Sequence, residues 1–514
     1  MNDPDELAPP DTRVDALRVR AANARPVRRD GPVVYWMIAA RRAGWSFGLE
    51  RAIEWARALG KPLIVLEALR VAYPWASDRL HRFVLDGMAD NATALERAPV
   101  LHHPYVEPEP GRGRGLLVAL AERAALVVTD EFPSFFLPRM VSAAARVLPV
   151  RLEVVDSNGL VPLRATPGPF ATAFAFRRWL QANLRPHLER FPLADPLRGL
   201  DLPLAKLPAE IERRWPRADP ELLAGAPEAL AALPIDHTVG VVPTRGGSVA
   251  GEHALRTFVA ARLAAYGEGR NHPDAHAASA LSPYLHFGHL SAHRAFAAVV
   301  EHEGWAPERL SARRDGRKGW FGVGESAEEF LEQLVTWREL GFVFAFHRPD
   351  HDRYASLPDW ARATLEAHAT GNGIALERLE RAETDDALWN AAQTELVREG
   401  RLHNYLRMLW GKKILEWSPS PSEALARLIH LNNKYALDGR DPNSYSGIFW
   451  CLGRFDRPWG PKRPVFGTVR AMSSAAAKRK LHLAQYLARY GASGESGEPR
   501  ERRGRRSRQR RGEG

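Results

Sequence analysis

The hydrophobic period of this chain changes once, and the change divides the molecule. Pro32–Ile38, Leu63–Leu66, Ala125–Thr129 and Val150–Val155 are short, mainly apolar runs. Between the early ones, Leu49–Leu59 and Arg79–Arg97 repeat at helical spacing, and Gly60-Lys61-Pro62 closes the first with a C-terminal signature. Short buried strands alternating with helices predict an open, mostly parallel α/β sheet with flanking helices over residues 31–165. From Gly251 to about residue 490 the pattern is helical almost without a strand signal. Residues 166–250 are rich in Pro, Ala and Leu, with helix patterns at Phe174–Leu188 and Glu221–Leu233. They read as a long interdomain linker draped over the surface. Residues 1–30 read as a flexible, Arg-rich lead-in, and 491–514 as a disordered Arg-rich tail. The expected fold is an α/β N-terminal domain joined by a long linker to an all-α domain over 251–490.

Bulk properties exclude several classes. The 514 residues allow more than one domain. The single cysteine, Cys451, excludes a disulfide framework and fits a reducing compartment. No apolar run approaches the ~18 residues of a membrane helix. The first ten residues, MNDPDELAPP, lack a signal peptide's apolar core. A cytoplasmic monomer without a membrane partner is expected. The net charge of +11 favours a polyanionic partner. Part of that excess lies in PRERRGRRSRQRRGEG, which reads equally as a nonspecific nucleic-acid arm or a solvated end. No Gly-x-Gly-x-x-Gly follows the first strand, so a dinucleotide site there is unsupported. The GRGRG run at Gly111–Gly115 reads as a loop.

Residues with chemistry gather between Arg401 and Trp459. RLHNYLRMLWGKKILEW is a helix with Leu406, Trp410, Ile414 and Trp417 on one face. A second helical run, Ser422–Leu431, breaks into the acidic loop Asp438-Gly-Arg-Asp441-Pro-Asn443. Trp410 and Trp417 lie about 10.5 Å apart along the first helix, and Trp389 precedes them on another. Core packing explains such spacing without further function. Earlier, Ser282-Pro283 reads as an N-cap followed by Pro at the first helical position. Free N–H groups and small hydroxyls there suit a diphosphate, and they equally suit an ordinary helix start. On the helix Phe330–Leu340, Gln333 shares a face with Trp337, whereas Glu332 turns about 140° away. His272, His276, His286 and His289 lack supporting Cys or paired carboxylates, and no metal is expected.

HNYLRMLWGKKILEW followed by LNNKYALDGRDPN resembles the flavin-binding core of class II photolyases, light-driven enzymes that split cyclobutane pyrimidine dimers in DNA. SALSPYLHFG at Ser279–Gly288 is similar to the family's diphosphate-gripping segment, and the order of sheet, linker and helical domain agrees. The resemblance implies an FAD-binding catalytic domain over 251–490, a damaged-DNA substrate, and an antenna chromophore of open identity in the α/β part. Tyr266, Ser279, Leu281 and Ser282 would line the cofactor, with Arg270 paired to Asp456. Arg407 and Asn432 would lie beside the flavin ring, Asn432 near N5, tuning its redox state. Asp438 and Asp441 would accept from the ring edge and from donors on the sugar side. Met408 and Trp450 would face the extruded dimer, with Trp337 and Trp450 as its walls and Gln333 as its hydrogen-bonding partner. Trp389, Trp410 and Trp417 would form an electron wire from surface to flavin.

Two positions depart from that pattern. The family commonly carries Glu-Glu where this chain has Glu332-Gln333, and Asn where it has Val343. An amide donates an N–H but supplies no proton. Gln333 and the basic tail therefore favour the first rival, a cryptochrome-like photoreceptor without repair. The second rival is a noncatalytic nucleic-acid-binding protein, against which the intact Arg407, Asn432 and Asp438 set argues.

Overall fold

A computed structural model of the chain describes residues 12–314, 316–369 and 373–491. The first eleven residues of the expected lead-in and the tail beyond 491 lie outside the described residues. The sheet consists of β1 (Val19–Ala21), β2 (Val33–Met37), β3 (Leu63–Leu69), β4 (Val100–Val106), β5 (Leu126–Asp130) and β6 (Leu152–Val155), in the order β1-β6-β5-β2-β3-β4. All pairings are parallel except β1 with β6. Alternate side chains of β2 serve two cores. Val33, Tyr35 and Met37 pack with Phe47, Leu49 and Ile53 of helix α1 (Phe47–Leu59). Val34 and Trp36 pack on the other face with Leu116 and Leu120 of α3 (Leu116–Ala121), which follows α2 (Asp78–Leu95), and with Val141 of α4 (Leu137–Val147). Burial on both faces is why β2 carries large apolar or aromatic residues at every position.

Two strands differ from the sequence reading. β4, VLHHPYV, is an edge strand that the sequence does not announce; an edge is where a sheet tolerates Pro104. β1 lies inside the supposed lead-in, where Val19, Arg20 and Ala21 pair with Val155, Val154 and Glu153. Two backbone cradles fill themselves. Gly111 and Gly113 of the GRGRG loop donate to Glu107 Oε1 at 2.9 and 3.1 Å. At the carboxyl end of β2, where strand order reverses, Asp130 Oδ2 accepts from Ile38, Ala39 and Ala40 at 2.9, 2.8 and 3.0 Å.

The linker reading also needs correction at its start. Helix α5 (Ala173–Asn183) is capped by Thr172, whose side chain accepts from Ala175 N–H. Phe176, Leu180 and Leu184 sit in one core with Phe330, Leu331 and Val335 of the helical part. Their i, i+4, i+8 spacing supplies the buried face.

The helical part rests on the carboxyl ends of the strands. Gly288, at φ 72°, would place a Cβ 1.8 Å from Ala39 O, so only glycine permits this approach. Glu339 accepts from Leu160 and Val161 N–H at 2.7 and 3.2 Å, and Arg338 donates to Asn158 O at 2.7 Å. Among the described residues no helix is long and apolar enough to cross a membrane.

Candidate functional site

The helical part encloses a cavity of about 800 Å³. Its polar wall is built by the Arg401–Trp459 stretch. The helix Asn404–Glu416 presents Arg407 and Met408, and the loop after the helix Pro421–Tyr435 presents Asp438. Ser420 caps that second helix, accepting from Glu423 N–H, with Pro421 in its first turn. Arg407 Nη2 contacts both carboxylate oxygens of Asp438, at 2.9 and 3.2 Å. Burial pushes Asp438 upward, but Arg407 and the Ser282 hydroxyl outweigh it and hold the group below the usual carboxylate range. Asp441 caps the helix Pro442–Cys451 through Asn443 N–H at 2.8 Å and meets His286 Nδ1 at 3.3 Å. Burial lowers the His286 imidazole despite Asp441, so this ring is neutral at pH 7.

At the other side Tyr266, Arg270, Ser279 and Ser282 line the cavity. Leu281 does not; it is buried in the apolar core, and Ser282 begins the short helix Ser282–His286 rather than capping it. Arg270 pairs with Glu329 at 3.0 Å, not with Asp456, whose Oδ1 accepts from Trp459 Nε1. Glu329 lies on the helix Glu325–Leu331, which is packed against the helix Leu263–Gly269 leading into Arg270. The Nε atoms of Arg270 and Arg262 are buried without a hydrogen-bond partner, and both residues line the cavity. Two guanidinium-bearing side chains on the wall of one space fit an anionic group such as a diphosphate.

Asn432 stands one layer behind the wall. Its Nδ2 donates to Ser444 Oγ at 2.9 Å and Asn433 Oδ1 at 3.2 Å, and Ser444 rather than Asn432 lines the cavity. The wall there is Asn443, Ser446, Gly447 and Trp450, an i, i+3, i+4, i+7 stripe visible in the sequence but not singled out from it. The helix Ala484–Tyr490 also closes on the cavity through Gln485, Tyr486, Arg489 and Tyr490. Asp274 caps it from a distance, accepting from Gln485 and Tyr486 N–H at 3.0 and 2.8 Å. No local sequence pattern carries that contact.

At the apolar end Trp337 and Trp450 stack, with ring centroids 4.6 Å apart and planes at 15°. Gln333 and Met408 line the same space. Glu332 does not; its carboxylate is buried against Arg177. Val343 is buried in the core and does not reach the cavity. Beneath the site, Trp389 Nε1 donates to Trp410 O at 3.1 Å, Trp410 Nε1 donates to Gln393 Oε1 at 2.9 Å, and Trp389 meets Trp417 edge-on at 5.3 Å. Trp389 and Trp410 are buried and Trp417 is partly exposed. The histidines divide: His286 faces Asp441, His289 accepts from Gly247 N–H, and His272 packs on His482. Among the described residues no group of three metal-ligating side chains is assembled.

A doubly wound sheet carrying a helical domain with this two-ended cavity defines the photolyase/cryptochrome fold. A bacterial class III photolyase from Agrobacterium tumefaciens superposes with a TM-score of 0.62 over 90% of this chain and 86% of that one, at 17% identity. A Synechocystis cryptochrome does so at 0.64, over 89% and 88%, at 15% identity. In sequence the chain is 34% identical to the deoxyribodipyrimidine photo-lyase of Methanothermobacter thermautotrophicus over 483 residues, 93% of this chain and 98% of that one. The rice photo-lyase (Oryza sativa subsp. japonica) is 34% identical over 92% and 90% of the two chains, and that of Potorous tridactylus 32% over 88% and 80%. No protein-family model matches the chain. The chain belongs to the deoxyribodipyrimidine photo-lyase family.

Proposed function

We propose that this protein is a light-driven DNA repair lyase that splits cyclobutane pyrimidine dimers, with FAD as its flavin, and that it is of the class II type. Identity of 34% across 98% of a photo-lyase carries the activity. The cavity supports it with a cationic, carboxylate-bearing end and an aromatic end. Bound FAD would supply one electron under light, which opens the dimer's cyclobutane ring and then returns.

The chain's own residues bind and orient. The Arg270 and Arg262 guanidinium groups would hold the diphosphate, with the Ser279 and Ser282 hydroxyls beside them. The Arg407–Asp438 pair would set the charge beside the flavin ring, and Asn432 would act there through Ser444. A dimer must leave the duplex to reach this depth, and damage lowers the cost of extruding it. Trp337 and Trp450 would part to take it between apolar surfaces, and the Gln333 amide would donate to a pyrimidine carbonyl. Exposed Arg317 and Arg470 also line the cavity and would meet the flanking phosphates. Trp417, Trp389 and Trp410 form the inward path by which an electron would reach the flavin. The reading extends to a cytoplasmic monomer with damaged DNA as its partner.

The test is the light-dependent loss of cyclobutane dimers from an oligonucleotide, with a dark control. Loss only in the light is expected. A protein that holds flavin and repairs nothing would transfer the assignment to the photoreceptor reading that Gln333 favours.

A further inference from the structure

We infer that Arg177 is a positioning residue for the dimer pocket, acting through Glu332 on the turn that carries Gln333 and Trp337. The inference rests on the reading of those two side chains as substrate contacts. The helix that runs from Glu325 to His347 is interrupted at Glu332–Trp337 by a π-turn, in which Arg338 N–H reaches back five residues to Gln333 O. A π-turn breaks the regular i→i+4 ladder and persists where something outside the ladder holds it; such turns recur at functional sites.

Here the holding groups are visible. Glu332 Oε1 accepts from Arg177 Nε at 2.9 Å and also from Arg177 Nη2, while Glu332 Oε2 accepts from Thr336 Oγ1 at 2.8 Å. Both carboxylate oxygens are used, and the pair is sealed, Arg177 being 5% and Glu332 6% exposed. Thr336 ties the carboxylate within the turn, and Arg177 ties it to α5. That helix is itself fixed, by Phe176 and Leu180 in the core and by the bridge from Thr172 to Phe455, a cavity-lining residue. With Glu332 directed at Arg177, its neighbour Gln333 and the next aromatic, Trp337, face the cavity. A segment that reads as linker thus sets the aim of the substrate wall.

Removing one partner alone would strand a buried charge and unfold the region for a trivial reason. The test therefore replaces the pair together, Arg177→Met with Glu332→Met, in the flavin-loaded full chain. Flavin content and undamaged-DNA binding should stay at parental levels. Affinity for a dimer-containing oligonucleotide should fall at least about tenfold, a fraction of the roughly hundredfold that a misplacement of about 1 Å can cost in rate. The near-ultraviolet circular dichroism couplet of the stacked Trp337–Trp450 pair should shrink in parallel, before any DNA is added. Arg177→Lys, which keeps a donor to Glu332, should recover part of both. An unchanged couplet together with unchanged preference for damaged DNA overturns the inference. Trp337→Ala separates the two layers: if it leaves damage preference intact, the pocket assignment falls, while the couplet of the Arg177→Met/Glu332→Met variant, which keeps both indoles, still reports whether Arg177 holds the turn.

Discussion

At position 333 a neutral amide stands on the wall shared with Trp337. Its N–H donates, but less strongly than a protonated, charge-sharing carboxyl would in a water-poor pocket. Gln333→Glu should raise repair yield per absorbed photon, and Gln333→Leu should lower it strongly, with flavin absorbance near 450 nm unchanged in both. Loss of a donor of this kind costs about 2.7–4 kcal/mol where charge develops on the accepting oxygen. Photon-counted repair assays check both directions; full repair by Gln333→Leu would remove residue 333 from the substrate contacts. The placement of Gln333 was legible because two residues four apart share a helix face whether or not the turn widens. The partner of Arg270 was not. Glu329 lies 59 residues away on another helix, and a pairing across that span leaves no periodic trace.

At the scale of elements, α5 is the part whose role the composition hides. Its burial of Phe176, Leu180 and Leu184 against Phe330 and Val335 predicts that a fragment of residues 240–490 folds poorly. A fragment of 166–490 should be soluble and hold more flavin. Side-by-side expression, with flavin per protein read by absorbance, decides this; equal flavin in the two fragments would contradict it. Three core side chains left exposed on their partners correspond to several kcal/mol, at about 2–5 kcal/mol for each large-to-small loss in a core. The strands divide the same way between legible and hidden. β2, β3, β5 and β6 declare themselves through runs of Val, Ile and Leu, because both faces of a parallel sheet are dry. β4 carries His102, His103 and Pro104, and β1 carries Arg20, so each depends on a neighbour strand that local sequence does not show.

Over the whole molecule, burial leaves a signature in acid. Burial lowers His289 to about 3 and His81, His103 and His403 to about 4. In the unfolded chain these rings take up a proton near pH 6.5. Their stabilising contribution is therefore complete above pH 6.5 and declines as pH falls from there toward 3–4. Each contributes up to about 1.4 kcal/mol per pH unit through that window. The melting temperature should drop between pH 6.5 and 5 in low-salt buffer, the four histidines outweighing Glu50 and Glu339, whose carboxyls burial raises to about 7 and whose contribution runs the other way. His289→Gln, which keeps an acceptor for Gly247 N–H, should flatten the drop. An acid profile that is flat to pH 5 would mean that these rings are not sealed.

The face-to-face Trp337–Trp450 pair has a kinetic consequence. On the proposed reading of these two rings as the dimer's walls, the resting pocket would exchange between the closed form seen here, in which each indole is the other's ligand, and an open form that admits the dimer. A stack worth about 0.5–1.5 kcal/mol beyond its buried area would leave at most roughly 30% of molecules open, and the measured dissociation constant would be the intrinsic one divided by that fraction. Undamaged bases, which gain nothing beyond what the indoles already give each other and must also leave their own stack, are held out by this competition. On that reading the enzyme would discriminate partly before contact, through how seldom its own door stands ajar.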